Sequence, residues 1–312
     1  MSKLNEVWIF ADGPSAIATL AAGAHTLGDK VVGIYIGDGT DVDRFVGCGA
    51  NEILQFSVPA GARADDMYHA VATYAKDAAP KLILLDKSAH SRMLAAVLSA
   101  ELECAALTGV MEFVSVDDGI EVTQMVHGGS AIRTIKSTAP ICVAICGNGV
   151  FAAPAAGDGA VATVVPVEAQ AQSAHVSRIG LKPTETASVN LAAASKAVAI
   201  GRGVNTPEDV SMCEDLSHVI GAEMGCTRPV SEALGLMEKE RYIGVSGVMF
   251  KPSVFVSIAA SGQVQHMVGY NQSGTIFAIN KDKSAPIFKQ ADYGIVGDFR
   301  TVVPKLMNLL ES

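Results

Sequence analysis

The sequence predicts an α/β protein of two domains, each organised on a sheet of parallel strands. Three observations lead there. Short apolar runs alternate with Ala-rich or amphipathic helical stretches up to about residue 103, and again after residue 196. Between 147 and 191 the composition changes: a Gly/Ala/Pro cluster gives way to a Ser- and Thr-rich stretch ending at Lys182-Pro183-Thr184-Glu185. In the second half the apolar runs end in glycine, small or polar residues, as strands do where an open α/β sheet forms its ligand crevice. The domains so defined are 1–188, a parallel-sheet, nucleotide-binding-like unit, and 189–312, a doubly wound unit.

In the first domain, EVWIFAD (6–12) reads as a buried strand closed by Gly13-Pro14. Ile17–Leu27 reads as a helix stopped at Gly28-Asp29, and VVGIYI (31–36) as the next strand. A short strand at Glu52–Phe56, a helix over Asp65–Ala79, a strand in KLILLD (81–86) and a helix over Ser88–Glu103 continue the rhythm, which implies crossover helices between parallel strands. VMEFVSVDDGIEVTQMV then reads as a hairpin about Asp117-Asp118-Gly119. SAIRTIKS, PICVAIC and VATVVPVEA supply further strands.

In the second domain, KAVAIGRGV (196–204) is an apolar strand running into Gly201-Arg202-Gly203. Asn205 or Thr206 can cap the helix PEDVSMCEDLSHVIGAE, with Pro207 near its first position and acids in its first turn. Strands follow in MGCTRPV, YIGVSG (242–247), FVSIAASG (255–262) and TIFAIN (275–280), and a helix over Phe299–Leu310 closes the chain.

Composition narrows the function. With 312 residues, 49% hydrophobic and one Trp, the chain suits tightly packed α/β layers. Its apolar stretches are broken short of the roughly 18 residues that a membrane-spanning helix needs. The start, MSKLNEVWIFADG, lacks the charged region, apolar core and cleavage site of a leader, so a cytoplasmic protein is expected. A formal charge of -9 argues against a general nucleic-acid binder. The six cysteines form no Cys-x-x-Cys pair and read as buried reduced thiols, with Cys142 and Cys146 on one strand face; zinc is not supported. The first domain carries no G-x-G-x-x-G after its first strand and no Walker loop. Its His25, His69, His90, His127 and His175 lie in unrelated contexts.

The chemistry concentrates in Val254–Asp282, where a strand breaks at Ser261-Gly262 and feeds a predicted helix through Gln263, Val264, Gln265 and His266. Such a turn offers backbone N–H groups to a phosphate. The next strand ends in Asn280, Lys281 and Asp282 at the same sheet edge. Arg202 and Arg228 can pair with pyrophosphate or lie along a flat ring. Asn280 and Asp298 suit hydroxyls or an adenine edge, and each also fits an ordinary turn. These residues alone leave open an NAD(P)-dependent dehydrogenase or transhydrogenase-like enzyme, and a nucleotide-sensing or scaffold module.

SGQVQHMVG, TIFAINKD, APIF and ADYGIVGD together resemble the signature of the electron-transfer flavoprotein α-subunit family, in its FixB-like bacterial branch. The resemblance extends over the whole chain. It implies one FAD held mainly by the C-terminal domain and a heterodimer with a β subunit, contacted through the N-terminal domain. It further implies an electron carrier between a partner dehydrogenase and another redox protein, possible work in acyl-CoA oxidation or reduction, and no turnover by this subunit alone. By matching motif, Arg202 lies by the FAD phosphates, and Thr227 and Arg228 approach the FAD, with Arg228 near the isoalloxazine. Ile243, Gly244, Val245 and Ser246 contact the flavin. Ser261 to His266 take the pyrophosphate and the flavin O2 side, Asn280 and Asp298 the adenosine half, and Asp282 and Phe299 are further cofactor-binding residues. A cationic or hydrogen-bonding group at the ring's N1–C2=O edge, the place for His266, favours the reduced ring because reduction puts negative charge there. The family's Gly-Gln-Thr-Gly loop reads Gly244-Val245-Ser246-Gly247 here, which removes an amide and replaces Thr by Ser at the flavin edge.

Overall fold

The computed structural model describes residues 3–147, 149–152, 154, 161–172, 176–177, 179–180 and 190–310. Two compact units emerge, one from Met1–Met125 with Ile132–Lys182, the other from Val126–Ala131 with Pro183–Ser312. The expected boundary at 188/189, the Lys182–Glu185 connection and His175 lie outside the described residues.

The first unit runs β1 (Leu4–Phe10), α1 (Pro14–Leu27), β2 (Gly28–Gly37), α2 (Asp43–Val46), β3 (Glu52–Ser57), α3 (Tyr68–Ala78), β4 (Leu82–Leu85) and α4 (Ala89–Glu101). It continues with β5 (Ala106–Val116), β6 (Gly119–Val126), β7 (Ala131–Ser137), β8 (Cys142–Cys146) and β9 (Thr163–Val167). These nine strands form one sheet in the order β7-β6-β5-β8-β4-β1-β2-β3-β9. From β5 through β9 the pairs are parallel, and the predicted hairpin appears as antiparallel β5–β6, with Val116 opposite Gly119. The central strands read as apolar runs because both sheet faces are covered. Val7, Ile9 and Val31 face Ile17, Leu20 and Ala24 of α1 on one side. Trp8, Ile83 and Leu85 pack with Val71, Ala75, Leu94 and Leu98 of α3 and α4 on the other. Each such large side chain contributes about 1.5–3 kcal/mol by leaving water.

The second unit runs β10 (Lys196–Ile200), α5 (Pro207–Ile220), β11 (Glu223–Cys226), β12 (Val254–Ile258), α6 (Val264–Met267), β13 (Thr275–Asn280), β14 (Tyr293–Val296) and α7 (Phe299–Leu310). Its sheet, β11-β10-β12-β13-β14, is parallel throughout. Thr206 caps α5, its hydroxyl accepting from the Asp209 N–H at 3.2 Å, and Pro207 opens the first turn. Val198, Ile200, Val256 and Ile258 pack with Cys213, Leu216, Phe299 and Val303 on one face. Ala197, Ala199 and Phe255 pack with Met267 and Tyr270 on the other, the Phe255 and Tyr270 rings stacked with centroids 3.7 Å apart.

Two local expectations change, and one strand is new. YIGVSG makes only isolated bridges, Cys226 with Tyr242 and Ile243 with Val248, because the chain turns back between its two glycines, Gly247 N–H bonding Gly244 C=O at 3.0 Å. The helix expected after Ser261-Gly262 is the single turn α6. β14 has no buried face to announce it: all four of its residues are exposed. The six thiols are free, five of them buried and Cys104 half-buried. Desolvation pushes Cys142 and Cys226 up to about 11 and Cys146 and Cys213 up to about 12. Among the described residues no helix is long and apolar enough to cross a membrane, and no cluster of His, Cys, Asp or Glu could hold a metal ion.

Candidate cofactor site

The parallel strands of the second unit all end at one edge. β10 runs into Gly201-Arg202-Gly203, β11 into Thr227-Arg228, β12 into Ala259-Ala260-Ser261-Gly262, β13 ends at Asn280, and β14 runs into Gly297-Asp298. Between the ends of β10, β12, β13 and β14 lies a small cavity of about 70 Å³, bordered by Gly203, Ala259, Asn280, Lys281, Asp298 and Arg300.

Close backbone approach makes this edge. A Cβ on Gly201 would sit 2.3 Å from the Ala259 carbonyl oxygen, so only glycine lets the exits of β10 and β12 meet. Gly262 has φ +82, and a Cβ there would lie 2.5 Å from the Ile287 nitrogen. Between them Ala259 is held at φ +54, a left-handed conformation that costs a non-glycine residue energy, while its N–H bonds Ile279 C=O at 2.8 Å. Such strain clusters at functional sites.

The strand-end side chains divide into those that build the edge and those that face outward. The Asn280 amide donates to Ala260 C=O at 2.9 Å and accepts from the Asp282 N–H at 2.9 Å, stapling the ends of β12 and β13. Asp282 is exposed and accepts from the N–H and hydroxyl of Ser284, which holds its carboxyl below the usual carboxylate range. Asp298 accepts from the Arg300 N–H at 2.9 Å as α7 begins, and Phe299 is buried beside it. Arg202, Ser261, Gln263, Val264, Gln265, Val245 and Ser246 are exposed. Arg228 is exposed and its Nε donates to Glu232 Oε2 at 2.6 Å.

The loop at Ile243–Ser246 and the turn at Gln265–His266 form one structure. Val245 N–H bonds Gln265 C=O at 2.8 Å, and the Ser246 hydroxyl lies 3.4 Å from the Tyr242 hydroxyl. His266 is buried, with Nδ1 2.7 Å from the Ile243 carbonyl oxygen. Only a protonated Nδ1 can donate there, so the neutral ring carries its lone pair on Nε2. Desolvation drives the imidazole down to about 4 against the opposing pull of that carbonyl, so the ring is neutral near pH 7 and keeps its hydrogen-bonding capacity. Two buried polar atoms at this edge, His266 Nε2 and Thr227 Oγ1, make no hydrogen bond among the described residues. Such orphans call for a partner, and a polar ligand in the crevice supplies one.

Sequence reasoning missed Arg300 and Asp209. The Arg300 guanidinium grips the buried Asp209 carboxylate in bidentate fashion, Nε–Oδ1 2.8 Å and Nη2–Oδ2 2.5 Å, and lies over the Phe299 ring at 4.8 Å. Two acids in a first helical turn look like ordinary dipole partners in sequence, and nothing there links Asp209 to an arginine on α7.

Two family descriptions match the chain. "Electron transfer flavoprotein FAD-binding domain" matches residues 190–271 and "Electron transfer flavoprotein domain" matches residues 14–172. Protein FixB of Escherichia coli (strain K12 / DH10B) and Protein FixB of Shigella flexneri are each 38% identical over 309 residues, covering 98% of both chains. Among solved structures, a glycotransferase of kitacinnamycin aligns with 100% of this chain and 90% of its own at 11% identity and a TM-score of 0.29, too slight a likeness to carry an argument.

Proposed function

The chain belongs to the electron-transfer flavoprotein α-subunit family, and we propose that it carries electrons on FAD from a partner dehydrogenase to a second redox protein. The family's FAD-binding domain description matches residues 190–271, which lie in the second unit. FAD, when bound, supplies the electron chemistry, and the chain supplies binding, orientation and electrostatics.

The observation that carries the placement is the pair of orphaned atoms, Thr227 Oγ1 and His266 Nε2, buried at the edge where the strands end. Thr227, Arg228, the loop Ile243–Ser246 and His266 border the ring. The backbone of Ser261 to Gln265, with Arg202, takes the pyrophosphate. Asn280, Asp282, Asp298 and Phe299 border the adenosine half, Asn280 chiefly by holding the strand ends together. As a neutral ring, His266 accepts a hydrogen bond at Nε2. Once protonated there, it donates at Nε2 while Nδ1 keeps Ile243. A group that must be protonated to donate to a carbonyl couples proton uptake to the charge beside it. Val245 and Ser246, both exposed, set the ring's outer environment.

The working unit in this reading is a cytoplasmic heterodimer with a β subunit, built through the domain at 1–188, and acyl-CoA oxidation or reduction is one process that it could serve. Co-expression with a β-subunit gene, followed by an absorbance spectrum of the purified complex, tests it. A yellow complex with a flavin spectrum that Thr227→Val or His266→Leu diminishes supports the site. A colourless complex that binds NAD(P)H sinks both the function and the site.

A further inference from the structure

The first unit holds a cavity of about 550 Å³ at the carboxyl ends of β1 and β2. β1 is flanked by β2 on one side and β4 on the other, so the chain leaves it in opposite directions, which is where open α/β sheets hold ligands. Volumes of 300–1,000 Å³ are usual for small-molecule sites. Beneath lies a buried aromatic floor that includes Phe45 and Tyr68. Tyr68 is 2% exposed, and its hydroxyl has no hydrogen-bond partner among the described residues. A buried phenol without a partner is costly unless something enters to meet it.

The rim is rich in acceptors. Asp38, at the end of β2, accepts the Thr40 N–H and hydroxyl on Oδ1 alone. Asp12, at the end of β1, pairs through Oδ1 with His90 Nδ1 at 2.9 Å. Asp41 accepts the Tyr35 hydroxyl at 2.5 Å. Three carboxylates repel a phosphate, and Arg63 beyond the rim is taken by Asp65, Nε–Oδ1 2.8 Å. The complement of this wall is a neutral molecule with adjacent hydroxyl donors and a flat body with a polar edge. We propose that the cavity binds the ribose and base of a ribonucleoside, Asp38 taking the vicinal hydroxyls and the Tyr68 hydroxyl meeting the edge of the base. The carboxylate after the second strand is where doubly wound sheets grip ribose. This site is separate from the flavin crevice and does not depend on it.

The test is titration calorimetry on the full-length, flavin-loaded protein, so that the crevice of the second unit is filled. The probes are adenosine, guanosine, cytidine and uridine, their 2′-deoxy forms, adenosine monophosphate and spermidine. At least one ribonucleoside should bind saturably. Its deoxy form, and the Asp38→Asn variant, should each lose tenfold or more in affinity, the loss of a hydrogen bond to a charged group. Tyr68→Phe should weaken the nucleoside while leaving the thermal midpoint unchanged or higher, because it deletes an unpaired hydroxyl. Far-UV circular dichroism like that of the wild type, with a cooperative thermal transition, shows that each variant is folded. No binding by any of the four, equal binding of the deoxy form, tighter binding of the monophosphate, or binding of spermidine alone would overturn the proposal.

Discussion

His266 Nδ1 lies 2.7 Å from the carbonyl oxygen of Ile243, and this bond fixes which ring nitrogen faces the crevice. It joins the loop Ile243–Ser246 to the turn that follows β12. A change in either reaches the same imidazole.

Acid should weaken the second unit through this residue. The folded-state value of about 4 lies below the ordinary 6.5, so between those values the unfolded chain binds the extra proton. Stability is therefore full above pH 6.5 and falls as pH drops toward 4, by up to about 3 kcal/mol. Urea unfolding of the flavin-free protein at pH 7 and pH 4.5, compared with His266→Gln, measures it. Parallel loss in both proteins would remove His266 as the cause.

Gly262→Ala places a Cβ at φ +82 and 2.5 Å from the Ile287 nitrogen. The turn must open, at a cost of about 1–3 kcal/mol. Flavin content per protein should fall sharply, while circular dichroism stays near that of the wild type because the change is confined to one loop.

Asp209→Ala removes the buried carboxylate that clamps Arg300 between α5 and the start of α7. The thermal midpoint should drop by about 3–5 °C. Arg300→Lys should show much of the same drop, since an ammonium cannot reproduce the two-pronged bond. A variant with lysine that melts like the wild type would show that charge alone suffices.

Arg228 is exposed and bound to Glu232, so Arg228→Ala should leave the fold intact. It should lower the midpoint potential of the flavin by tens of millivolts, with about 59 mV for each tenfold change in a one-electron step. Glu232→Gln, which frees the guanidinium, should shift the potential upward. Unchanged potentials in both variants would end the role assigned to Arg228.

The sequence makes periodic and punctuated features legible. TIFAIN at 275–280 is β13, the Asp117-Asp118-Gly119 turn is the β5–β6 hairpin, and Thr206 with Pro207 starts α5. The strand ends that form the crevice follow from where apolar runs stop. What stays hidden depends on partners distant in sequence. Tyr293–Val296 pairs with β13 with all four residues exposed, Tyr293 stacking its ring on Phe277, so its side chains carry no burial pattern. Asp209 meets Arg300 only after α5 and α7 have packed. The neutrality of His266 comes from burial, which no spacing reveals; its Nε2 and the Thr227 hydroxyl become conspicuous only when their lack of partners can be seen.

Cys226 lies at the tip of β11, one residue before Thr227, yet its thiol is held near 11, and Cys146 and Cys213 near 12. The thiolate is the form that attacks peroxides and disulfides. A flavin exposed to oxygen generates such oxidants within its own neighbourhood. Packing thus gives the protein a chemical insulation, in which sulfur a residue away from the proposed flavin contact at Thr227 stays protonated and out of the circuit.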